Sequence, residues 1–204
     1  MRRQLLPSIV AILLFTAVLG IVFPLVVLGI GQVAFKDKAD GSFVTVNGKR
    51  VGSSLIGQAF VDSKGRPIRK YFQSRPSAAL GVDGKTTAGY DPTLSSGSNL
   101  GPTNPTLIKL VAQRAKDYRA LNGLAPNVKV PVDAVTASAS GLDPDISVAN
   151  ARLQAARVAR ARGVSTATVL KMIDQHTDGR PLGILGEKTV NILDLNLALD
   201  RLKS

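Results

Sequence analysis

Chemistry-bearing residues are sparse in this chain, and each must be weighed against a plainer use. His176 is the single histidine. With Asp174 or Asp178 and a loop serine it has the composition of a hydrolase triad, in which an imidazole takes the proton of a serine hydroxyl. No Gly-x-Ser-x-Gly elbow is present to expose such a serine. His176 therefore reads as a helix-terminal residue at the negative end of the dipole, and no catalytic residue is assigned. Asp133, Asp143 and Asp145 offer the hard oxygen ligands that Ca²⁺ or Mg²⁺ would take. Asp143-Pro144-Asp145 is also a plain turn and helix start, so no metal is assigned.

Residues 52–58 (GSSLIGQ) are small, polar and glycine-flanked, but lack the Gly-Lys-Ser/Thr end of a phosphate-cradling loop. A strand running into a tight turn is the simpler reading. Arg152, Arg157, Arg160 and Arg162 cluster on or near one helix and would suit phosphate contacts. Aromatic residues make up 4% of the chain, too few for a base-stacking platform. The arginines are read as a solvated basic face near anionic headgroups, with no nucleic acid as partner.

Two polar loops remain. Residues 95–105 (SSGSNLGPTNP) form a long loop that feeds a helix, and residues 137–145 (ASASGLDPD) form another. Loops of that length in a compact domain are functional or disordered, and one that leads into a capped helix is expected to be ordered. Ser95, Gly97, Asn99, Gly101 and Asn104 from the first, with Ser138, Ser140, Asp143 and Asp145 from the second, are the candidate partner-docking residues.

The elements that must position these loops follow from local signals. Residues 43–46 (FVTV) run into Asn47-Gly48, which favours a type I′ hairpin, and on into Lys49-Arg50-Val51. Residues 54–61 suggest another short strand. Asn104 is a good N-cap, Pro105 suits the first helical position, and Gly123 lies just past the expected end. Residues 128–132 alternate and suggest a strand. Asp145 or Ser147 starts a second helix that Gly163 stops, and Ser165 caps a third reaching about His176. Residues 189–202 fit helix or strand, with helix preferred for their length. The Gly/Ser/Pro-rich stretch at about 74–106 separates a strand-bearing half from a helical half.

Composition supplies the setting. The chain has 204 residues, a formal net charge of +12, 45% hydrophobic residues and no cysteine. That excludes a disulfide scaffold and a classical structural zinc site, and the apolar content is too high for a disordered basic tail. Residues 5–35 contain no charged side chain over 31 positions, whereas crossing a bilayer takes roughly 20. A secretory signal has a shorter apolar region and a small-residue cleavage site, and Gln32-Val33-Ala34 is a poor one. We read residues 1–35 as a short cytoplasmic N-terminus with an uncleaved span over about 7–31. Residues 36–204 are read as an extracytoplasmic domain, since long domains translocate largely regardless of charge. Gly20, Gly29 and Gly31 are the positions expected to pack against partner helices. The expected fold class is thus a single transmembrane helix followed by a mixed α+β domain, short strands first and helices in the second half.

The order of the motifs resembles one family over nearly the whole chain: the C subunit of the Kdp-type potassium-transporting P-type ATPase. The matching stretches are residues 52–60 (GSSLIGQAF), 71–78 (YFQSRPSA), Tyr90-Asp91, 95–105, 135–147 (VTASASGLDPDIS), 150–163 with Gln154, and 182–200 (LGILGEKTVNILDLNLALD). The resemblance implies a non-catalytic accessory subunit in the bacterial inner membrane. Its partners would be a channel-like potassium-translocating subunit and an ATP-hydrolysing P-type subunit. It also implies a catalytic-chaperone role that raises ATP affinity, with Gln58 as the nucleotide-associated residue. No cofactor would be bound directly, ATP and potassium being handled by the complex. The rival reading is a stand-alone membrane-anchored extracytoplasmic enzyme or envelope-binding module.

Overall fold

The computed structural model describes residues 2–79 and 89–202, so residues 80–88 of the Gly/Ser/Pro-rich stretch lie outside the described residues. The chain forms two compact units, Met1–Ser53 and Ser54–Ser204.

The first unit is dominated by one apolar helix, Arg3–Ala34, long enough to cross a membrane and with none of its best apolar window buried within the protein. It comprises α1 (Arg2–Ala17), a π-helical turn at Val18–Val22, and α2 (Phe23–Ala34). The π turn has a local cause. Pro24 cannot donate to the Gly20 carbonyl, and the turn absorbs the mismatch with Phe23 N–H donating to Val18 O. The helix starts at Arg2, so Pro7 lies inside it. After the one-turn α3 (Lys36–Ala39), β1 (Phe43–Val46) and β2 (Lys49–Ser53) pair antiparallel. Asn47 and Gly48 sit at φ 50° and 76°, both positive as a type I′ turn requires.

The second unit is α+β. Helix α4 (Pro105–Asn122) starts where Asn104 Oδ1 accepts from Thr106 N–H and ends at Gly123 with φ 67°. A three-stranded antiparallel sheet has the order β3 (Asp145–Ser147), β5 (Thr189–Asn191), β4 (Thr177–Asp178). Around it pack α5 (Val148–Arg162), α6 (Thr166–Gln175) and α7 (Ile192–Asp200). Ala151, Ala155 and Ala159 recur every four residues on α5 and meet Val169, Ile173, Leu195 and Leu199 in one buried cluster.

Two strand expectations fail. Residues 54–61 form no ladder beyond a single bridge, Val61 to Pro67, because this segment is taken up by loops: Gly57 N–H donates to Leu142 O at 2.9 Å. Residues 128–132 form no strand either. Arg119 Nε captures the Val128 carbonyl at 2.9 Å, and Pro131 leads into a 3₁₀ turn, Val132–Ala134. Residues 189–202 contain both alternatives, a short strand and then the helix α7.

An extended segment, residues 71–79, threads the core without a strand partner, and Phe72 on it is fully buried. Its backbone is satisfied by side-chain amides instead. Phe72 N–H donates to Asn196 Oδ1 and its carbonyl accepts from Asn196 Nδ2; Gln73 N–H and carbonyl make the same pair of bonds with Gln154. Each amide does the work of a neighbouring strand, which explains why Gln154 and Asn196 are buried. Arg157, also buried, closes the arrangement by donating to Asn122 Oδ1, Gln154 Oε1 and the carbonyls of Arg69 and Tyr71.

Candidate functional site

Four loop segments that are far apart in sequence meet in one knot. Ser96 N–H and Ser95 Oγ both donate to the Ser140 carbonyl, at 2.9 and 3.1 Å. Ser77 Oγ donates to the Gly141 carbonyl at 2.6 Å and accepts from the N–H groups of Ala79 and Tyr90. The Tyr90 hydroxyl donates to the Arg75 carbonyl, and burial pushes that phenol's pKa up to about 12. Arg75 Nη1 pairs with Asp143 Oδ2 at 2.8 Å. The two candidate docking loops are therefore brought together at their Ser95/Ser96 and Ser140 ends.

Glycine makes the knot possible by removing side chains where backbones touch. A Cβ on Gly57 would lie 2.3 Å from Tyr90 Cε1 and 2.5 Å from Asp143 O. One on Gly97 would lie 2.8 Å from Ala139 O, and one on Gly141 2.6 Å from Ser96 O. Gly101 differs: a Cβ there meets nothing within 4 Å. So Gly97 is a packing residue, whereas Gly101 is an open position on an exposed loop. Asn99 is exposed with φ 52°, and Asn104 is the N-cap of α4. Ser138 is buried and Ser140 exposed.

The aspartates separate. Asp133 accepts from Ser147 N–H, Ser147 Oγ and Asn150 Nδ2 at 2.8–3.0 Å and anchors the start of α5. Asp143 is the partner of Arg75, and Asp145 belongs to β3 rather than to the helix start. Burial raises the Asp145 pKa above the usual carboxylate range, with repulsion from Asp143 and Asp178 adding to it, although Thr189 Oγ1 donates to Oδ2. A carboxyl with a raised folded pKa contributes stability below its unfolded pKa and loses it as pH climbs through the folded value. Asp145→Asn should therefore unfold at a higher temperature than the parent at pH 7, the gap closing below about pH 4. An equal gap at both pH values would contradict this.

His176 is the C-cap of α6, and its Nδ1 donates to the Met172 carbonyl at 2.9 Å. Asp174 is engaged by Arg152. Gln58 is exposed, and its carbonyl accepts from Ser74 Oγ. The basic-face reading is corrected: Arg157 is buried, and Arg162 donates to the Lys70 carbonyl and pairs with Asp200, so only Arg152 and Arg160 are exposed. Sequence reasoning missed Arg157, Asn196 and Asn122 as internal residues. The signal for Arg157 was its place beside the Ala151, Gln154, Ala155, Val158 stripe. On the span, Gly20 has only Thr16 Cγ2 at 4.0 Å, Gly29 has open space, and Gly31 faces Ala39 Cβ at 3.7 Å.

Comparison with known proteins gives this architecture its context. The family model described as KdpC, K⁺-transporting ATPase, c chain, matches residues 5–201. The potassium-transporting ATPase KdpC subunit of Mycobacterium tuberculosis (strain H37Rv) is 53% identical over 202 residues, which is 99% of this chain and 100% of the relative. The proteins of the same name from Kineococcus radiotolerans and Koribacter versatilis are 49% identical over 197 residues and 46% over 200, covering 97% and 98% of this chain and 93% and 95% of theirs. A match running from the apolar helix through the loop knot to α7 settles membership: the chain belongs to the KdpC family, the c chains of K⁺-transporting ATPases.

Proposed function

We propose that the protein is a non-catalytic assembly subunit of an ATP-driven potassium uptake complex, joining a channel-like potassium-translocating subunit to a P-type ATPase subunit. Full-length family membership carries this reading, and the single apolar helix Arg3–Ala34 fits it. The N-terminus is cytoplasmic and the domain beyond the span extracytoplasmic, in the bacterial inner membrane. Gly20 and Gly29, with no close neighbours of their own, are suited to helix packing against a partner, and Gly31, approached by Ala39 Cβ at 3.7 Å, is a third such position. The exposed parts of residues 95–105 and 137–145 dock on the channel-like subunit.

With this topology Gln58 and cytoplasmic ATP lie on opposite sides of ~30 Å of hydrocarbon. Any rise in ATP affinity is then a conformational coupling through the assembled complex, and Gln58 acts without touching nucleotide. The two arginines before the span leave a net +10 on the remainder of the chain, which makes it a poor reservoir for K⁺. The reading is tested by pull-down of the C-terminally tagged chain from native membranes of potassium-limited cells in mild detergent. A P-type ATPase and a large polytopic protein should be recovered with it. Recovery of the chain alone, while those proteins are expressed, would contradict the reading.

A further inference from the structure

Between the extended segment at Ser74 and α4 lie two cavities of about 250 and 350 Å³ that share the wall Gln73, Ser74 and Arg114. Arg114 is half-buried, and its Nη1 donates to the Val135 carbonyl at 3.1 Å. Five other arginines among the described residues have carboxylate partners: Arg66, Arg75, Arg152, Arg162 and Arg180. Among those residues Arg114 has none, and burial alone works against its charge. It also differs from Arg157, whose donors are spread over four internal acceptors.

A second observation points the same way. Arg75 lines the smaller cavity as well, so a second guanidinium adds positive charge to that wall, partly offset by its pair with Asp143. A guanidinium presents five N–H donors, and donors withdrawn from water without acceptors are costly. The cleft is thus short of an acceptor at Arg114, whose bond among the described residues is to the Val135 carbonyl. Its larger cavity adds apolar surface from Pro67, Leu121 and Ala134. Asp117, one turn along α4, also lines that cavity and accepts from Gln113 Nε2. Its negative charge would repel an incoming acid, so the carboxylate is placed in the smaller cavity, which Arg114 lines and Asp117 does not.

We propose that this cleft receives an Asp or Glu side chain of another subunit of the ATPase. Arg114 forms the charged clamp, Arg75 adds positive charge beside it, and an aliphatic neighbour of the acid fills the larger cavity. A planar guanidinium short of a counter-charge matches a carboxylate through two parallel bonds. The proposal rests on the assembly reading above.

The test uses the full tagged chain co-expressed with its complex in native membranes, as wild type, Arg114→Gln, Arg114→Lys and the exposed control Arg160→Gln. Arg114→Gln should lower the partner subunits recovered per chain by about tenfold, the loss expected of a desolvated charge contact. Arg114→Lys should retain part of the recovery, and Arg160→Gln all of it. Thermal unfolding of each chain in detergent should stay within about 3 °C of wild type, separating lost contact from lost fold. A photo-crosslinker at the exposed position 117 should label a partner peptide containing Asp or Glu. Undiminished recovery with Arg114→Gln, or adducts to lipid alone, would overturn the proposal while leaving the assembly reading intact. Failure of the wild-type chain to recover its partners would instead overturn the assembly reading.

Discussion

Arg157→Met should destabilise the protein by about 3–5 kcal/mol, the range for removing one member of a buried charged network. Methionine fills comparable space, so the loss is not chiefly a cavity. What it leaves behind are the carbonyls of Arg69 and Tyr71 and the amide oxygens of Asn122 and Gln154, all of which now accept from the guanidinium. An acceptor orphaned in the interior costs about 1–3 kcal/mol, and the Gln154 amide oxygen keeps only its bond from Gln73 N–H. Arg157→Lys should rescue little, because one ammonium cannot span acceptors arranged around a planar fork. Urea unfolding of the full chain in detergent, followed by circular dichroism, reads the effect. A cost below about 1 kcal/mol would mean that water replaces the guanidinium, and that Arg157 is not the keystone of the segment at residues 69–73.

Gly141→Ala should cost about 3 kcal/mol or more, or roughly 6–12 °C in Tm for a chain of this size. Two independent terms add. The residue has φ 70°, where alanine is strained, and its Cβ would meet Ser96 O at 2.6 Å and Ala79 N at 2.8 Å. Both are backbone atoms, Ser96 being tied through its N–H to the Ser140 carbonyl and Ala79 through its N–H to Ser77 Oγ, so neither can swing aside. Gly57→Ala should behave similarly, since the Tyr90 ring it would strike is tied by its hydroxyl to the Arg75 carbonyl. Near-parental Tm for both variants would show that the knot is looser than its geometry.

Much of this architecture is written in short-range signals. Asn104, Ser147 and Ser165 each cap a helix with their own side chain, and Gly123 and Gly163 stop two of them in the left-handed region. Asn47-Gly48 turns its hairpin as such a pair should. What was not legible depends on partners distant in sequence. Phe72 pairs with Asn196 across 124 positions and Gln73 with Gln154 across 81, so a buried extended segment looks from sequence like an ordinary polar loop. The same holds for Arg157: its charge alone suggests solvent, and only the four acceptors gathered from elsewhere make burial favourable. Within the candidate site, the two loops were recognisable by composition. The division of labour between Gly97, locked against Ala139, and Gly101, open, depends on a contact that sequence does not display.

That division supplies the most direct measurement of the central claim, that this subunit acts by docking through its exposed loops. Gly101→Trp and wild type should be compared as tagged full-length chains for partner recovery from native membranes and for thermal unfolding in detergent. Because a side chain at residue 101 meets open space, the account predicts an unchanged Tm together with loss of the ATPase and channel-like subunits. Recovery of both partners at wild-type levels by a chain carrying tryptophan there would contradict docking through residues 95–105.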